Sequence, residues 1–77
     1  MNKERRAALK VIMGELEGLY SRIEDCHSTE SDYFEAMPDG LKNSEKGEQA
    51  QEAVDALQAV MDSVQEAIDG ISNVIDG

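Results

Sequence analysis

In the stretch "EDCH", Glu24 and His27 stand three residues apart, the Glu-x-x-His spacing with which carboxylate-bridged di-iron bundles hold metal. On a helix that spacing turns both side chains to one side, and a dimer would supply the motif twice. Such a site also needs an inward Glu from each remaining helix. At the facing positions the second half of the chain offers Ala53, Val54 and Leu57, with Glu52 and Asp55 turned outward. No metal is therefore expected, and a ferritin-like di-metal bundle is kept only as the weakest alternative. Cys26 is the single cysteine. As a nucleophile it would need a base within hydrogen-bond reach, yet adjacent helical residues diverge by about 100°, so His27 cannot serve. Cys26 is expected to be a small buried hydrophobe. With no Gly-rich phosphate loop, no cysteine cluster and no Trp, the expectation is a protein that is not an enzyme and carries no cofactor.

The other chemistry in the sequence is charge. Glu45, Glu48, Glu52, Asp55, Asp62, Glu66, Asp69 and Asp76 recur at spacings of three and four, with Ala59 and Asn73 filling the two gaps. On a helix they form one ridge, with neighbouring acids about 5 Å apart. A surface helix usually mixes Glu with Lys to gain i,i+4 pairing, but no Lys or Arg follows Lys46. The ridge resembles, coarsely, the charge line of a nucleic-acid strand, which advances about 3.4 Å per phosphate. Glu48, Glu52, Asp55, Asp62, Glu66 and Asp69 are the candidate partner-binding residues. The alternative is a solvated outer face of no further meaning.

Positioning such a ridge requires long helices. Leu9, Ile12, Leu16, Leu19, Ile23, Cys26, Tyr33 and Met37 keep a 3-4 heptad spacing, broken once by Glu30. Pro38 and Asp39-Gly40 end the pattern. Ala50, Val54, Leu57, Met61, Val64, Ile68, Ile71 and Ile75 form a second seam without interruption. Asn43 or Ser44 is the expected cap of that helix. The expected fold is all-α: one domain over residues 1–77, a helix over about 3–37, a turn over 38–43 and an antiparallel helix over about 44–76. A break near "HSTES" (28–31) is the weaker reading.

In an antiparallel hairpin, facing positions add to a constant. Leu9 with Ile71, Ile12 with Ile68, Leu16 with Val64, Leu19 with Met61, Ile23 with Leu57 and Cys26 with Val54 do so. That register sets Tyr33 against Gly47 and brings the basic start of the first helix beside Asp69 and Asp76. Each helix has a further apolar column beside its seam: Met13, Tyr20, His27 and Phe34 on the first, Ala53, Val60, Ala67 and Val74 on the second. Stripes this broad suit a bundle of more than two helices. A homodimeric four-helix bundle is expected, with Met13, Tyr20, Phe34, Val60 and Val74 at its flank. Gly14 and Gly18, in a column with Ala7, Val11 and Ser21, make a smooth strip. Helix-interior glycine costs roughly 1 kcal/mol, so a docking or oligomer surface is expected there, with tolerated glycines as the alternative.

The whole chain has 77 residues and a net charge of −10. Lys3, Arg5, Arg6 and Lys10 cluster at the start, whereas from Glu24 onward the only Lys or Arg are Lys42 and Lys46. Direct binding of nucleic acid is not expected of so acidic a surface, because phosphate contacts need clustered Lys or Arg and from Glu24 onward there are only two. Basic or nucleic-acid-binding proteins are the electrostatic match. One cysteine, no signal-like start and no apolar run long enough to span a bilayer point to the cytoplasm and no membrane.

Residues 33–60, "YFEAMPDGLKNSEKGEQAQEAVDALQAV", resemble a loose group of short acidic helical-hairpin proteins of phages, prophages and mobile elements. Tyr33, Phe34, Met37, Pro38, Ser44, Glu45, Gly47 and Glu48 match the group's pattern, while Gln58, Gln65 and Ser72 stand where it commonly has Glu. The resemblance implies no catalysis and no cofactor, and a host protein as partner. The expected function is a non-enzymatic inhibitor or modulator of a host nucleic-acid-binding or defence protein, acting in the host cytoplasm. The alternative is a structural coiled-coil oligomer.

Overall fold

Asn2 opens the first helix, its Oδ1 accepting the Arg5 backbone N–H at 2.9 Å, an arrangement that satisfies one of the donors a helix start leaves free. In the computed structural model, which describes residues 1–77, helix α1 spans Lys3–Glu35, a single-turn helix α2 spans Asp39–Lys42, and α3 spans Glu45–Asp76. There is no strand, and α1 packs lengthwise on α3. The result is a rod of 58 × 15 × 13 Å.

Helix α1 runs unbroken through "HSTES", where the Thr29 hydroxyl donates to the Asp25 carbonyl at 2.9 Å. The helix ends at Glu35, two residues short of the expected boundary, as Pro38 disfavours helical backbone at Met37. Residues expected to form a plain turn contain α2 instead. The Pro38 carbonyl accepts the N–H groups of both Leu41 and Lys42. Lys42 then fastens the turn, its ammonium 5.5 Å from the Phe34 ring centroid and 3.7 Å from Glu35 Oε2. Ser44 occupies the N-cap position of α3, but its hydroxyl donates to the Leu41 carbonyl, and Asn43 donates its amide to Asp39. Neither side chain caps α3.

On α3 the seam lies where periodicity puts it: Ala50, Met61, Ile68 and Ile75 are buried, and Val54, Leu57, Val64 and Ile71 are half-buried. On α1 the packed face is rotated by one column. Leu9, Leu16 and Ile23 turn inward together with Met13, Tyr20, His27 and Phe34, whereas Ile12 and Leu19 are 46% exposed and Cys26 and Tyr33 are exposed as well. Met13, Tyr20 and Phe34, expected at a dimer flank, are half-buried on the α3 side of α1. Three adjacent apolar columns compete for a seam that takes two, and the column that ends in Phe34, beneath Lys42, is one of the two that pack. The larger rings of Tyr20 and Phe34 add area to the chosen column.

The axial register agrees with the pairing sum at Leu16–Val64 and Ile23–Leu57, whereas Ile12, Leu19 and Cys26, expected opposite Ile68, Met61 and Val54, are exposed. Leu16 shares a groove with Val64, and Ile23 shares another with Leu57. Two further details differ from expectation. Gly47 does not face a tyrosine ring. It is buried under α2, where a Cβ would collide with the Leu41 and Lys42 carbonyls. The basic start of α1 also makes no ion pair with Asp69 or Asp76, because Lys42–Glu35 is the only ion pair in the chain.

Candidate protein-binding surface

The acidic face of α3 is built from a repeated local unit. Gln51 donates its amide to Asp55 at 2.9 Å, Gln58 to Asp62 at 3.1 Å, Gln65 to Asp69 at 3.0 Å, and the Ser72 hydroxyl reaches Asp76 at 3.5 Å. Each donor lies four residues before its acceptor, the geometry in which a Gln–Asp pair stabilises a helix by about 0.2–0.5 kcal/mol. Chemically the unit matters because the donors are neutral. A lysine in the same place would cancel the carboxylate, whereas an amide orients it and leaves its charge intact. The ladder answers how α3 tolerates acids of one sign. Its signal was present in the sequence, since Gln51, Gln58, Gln65 and Ser72 each precede an Asp by four, but charge alone did not reveal it.

Glu48, Glu52, Asp55, Asp62, Glu66 and Asp69 are all exposed on one helix and lie on its side away from α1. Together they form one row, with the Asp column repeating every two turns. Gly14 and Gly18 are also exposed, and a Cβ built on either meets nothing within 4 Å. That strip is an open helix surface facing away from α3, with no packing inside the hairpin to account for it.

A third surface emerges only in three dimensions. The exposed column Ile12, Leu19, Cys26 and Tyr33 of α1 lies on the same side of the rod as Val60, Ala67 and Val74 of α3, with Val60 44% and Val74 49% exposed. Shallow grooves run along that side between the helices, one lined by Leu16, Val60, Val64 and Ala67 and the next by Leu19, Ile23, Cys26 and Leu57. The opposite side is polar, with Glu17 and Gln65 edging the cleft over Tyr20 and Ile68. Val60 and Val74 thus sit on an exposed apolar side of the rod, and their α1 companions there are Ile12, Leu19 and Tyr33.

His27 is half-buried on the α3 side of α1 and Glu24 is exposed. No three His, Cys, Asp or Glu side chains converge into a group able to hold a metal ion. No helix is long and apolar enough to cross a membrane. No family model, curated protein or solved structure matches the chain.

Proposed function

We propose that the hairpin is a non-enzymatic protein-binding module that works as a homodimeric four-helix bundle in the cytoplasm and presents the α3 acidic row to a basic or nucleic-acid-binding protein. The observation that carries this reading is the Gln–Asp ladder: Asp55, Asp62 and Asp69 each accept from a neutral amide, which orients the carboxylate without neutralising it. Like charges at regular intervals are what a site built for a polyanion's phosphates would engage. Such complementarity speeds association more than it deepens affinity. The resemblance of residues 33–60 to short phage and mobile-element proteins makes a host protein the partner, with inhibition or modulation of a defence or nucleic-acid enzyme as the outcome.

The same ladder favours one competing reading, a scaffold whose amide–carboxylate pairs serve only to stabilise an exposed helix. A capture experiment from host lysate separates the two. Wild type is compared with the D55N/D62N/D69N variant at low and at high salt. A basic or nucleic-acid-binding protein retained by wild type alone, and released by salt, is the expected result. Equal retention by both forms would remove the acidic row from the function.

A further inference from the structure

We infer that the apolar side of the rod seats a second copy of this chain, lying antiparallel along it about a twofold axis that passes between the two Leu19 side chains and the two Val60 side chains. This rests on the dimer in the proposed function and specifies its face, orientation and register.

The rod exposes 5440 Å², against about 4,600 Å² for a compact monomer of this mass. Only six of its 77 residues are buried, so the hairpin alone has a thin core. A side 58 Å long and 15 Å wide matches the roughly 800 Å² per partner that a standard interface covers.

The face is also complementary to itself in one orientation. On α1, Leu19 is the midpoint of the exposed column: Ile12 stands seven residues before it and Cys26 seven after, Arg5 fourteen before and Tyr33 fourteen after. Turned end over end about Leu19, the helix meets its own copy with Ile12 on Cys26 and Arg5 on the Tyr33 ring, a cation over an aromatic face. The rim column next to it carries Glu15 and Arg22, which the same operation brings together twice, Glu15 of each copy beside Arg22 of the other. On α3, Val60 is the midpoint, with Ala53 and Ala67 seven residues to either side, and the adjoining rim holds Ala56, Ser63 and Gly70 without a charge. Small uncharged residues allow two α3 helices to approach closely.

Both midpoints, moreover, lie at one height. Leu16 is level with Val64 and Ile23 with Leu57, so Leu19, between them on α1, is level with Val60 and Met61 on α3. A single axis therefore serves both helices, as an isologous dimer requires. The other twofold arrangement, with its axis along the rod, would lay α1 on the partner's α3. There Glu15 and Arg22 would face Ser63, Ala56 and Gly70, and both charges would be left without a counterpart.

One consequence bears on binding. The inferred axis keeps both α3 helices on the same side of the bundle, so the two acidic rows run antiparallel beside each other, as the two phosphate strands of a duplex do. The rejected arrangement would put them on opposite sides.

Sedimentation combined with oxidative cross-linking tests the inference. Wild type is expected to be a dimer. L19C in a C26S background is expected to link covalently within that dimer, and I12C with Cys26 retained is expected to link through the Ile12–Cys26 contact. R22E is expected to weaken dimerisation more than about tenfold by opposing it to Glu15, and E15R/R22E is expected to restore it. A wild-type monomer would overturn the dimer itself. A dimer in which L19C does not link, or in which E15R/R22E fails to recover, would overturn the register while leaving an acidic dimeric module intact. Circular dichroism of each variant separates loss of association from loss of helix.

Discussion

Glycine has two unrelated meanings in this chain, and single substitutions distinguish them. At Gly47 a Cβ would drive into the Leu41 and Lys42 carbonyls, backbone atoms that cannot step aside without moving α2. Gly47→Ala is expected to destabilise the fold by about 1–3 kcal/mol despite the better helix propensity of alanine. At Gly14 and Gly18 the space is open, and alanine there is expected to stabilise by roughly 0.5–1 kcal/mol each. Urea denaturation of the three variants reads both signs. A stabilised Gly14/Gly18 double variant that loses partner binding would assign the strip to docking, and one that binds normally would leave its glycines without a role. The Gly47 contact was not legible in the sequence, because the obstructing atoms belong to a helical turn that forms only when Pro38 ends α1 and the chain folds back.

At the scale of the element, α3 is stabilised along its exposed face by amide–carboxylate pairs rather than ion pairs. Changing Gln51, Gln58 and Gln65 to Glu would replace each attractive i,i+4 pair by a repulsive one. A loss of about 1 kcal/mol in total is expected at low salt. Because the new term is electrostatic and exposed, most of that loss should disappear at high salt. Thermal melts of the variant at two ionic strengths check this; an equal loss at both would mean the amides act through packing. Helix α1 teaches a different lesson. Its apolar positions fall in three adjacent columns, and heptad spacing cannot say which two face the partner helix. The packing against α3 puts Met13, Tyr20 and Phe34 inward and leaves Ile12 and Leu19 exposed.

For the whole molecule the dominant facts are a net charge of −10 on 77 residues and a rod that leaves one apolar side uncovered. Self-repulsion at that charge density opposes the folded state and is screened by ions. The melting temperature is expected to rise on going from low to physiological salt, and a flat response would show that the carboxylates are already compensated. Association would add a separate dependence, since a dimer's melting temperature rises with protein concentration.

The amino-acid sequence by itself determined two long antiparallel helices, their axial register, the acidic row and the absence of any Lys or Arg beyond Lys46, because these follow from periodicity, from Pro38 and from counting charges. Those are properties of one helix at a time, or of two helices laid end to end. Tertiary structure alone decided which α1 columns are spent inside the hairpin, why Gly47 is glycine, and that the leftover columns of both helices share one side. Rotation of a helix about its own axis is fixed by contacts distant in sequence, and a heptad pattern with three apolar columns leaves that rotation open.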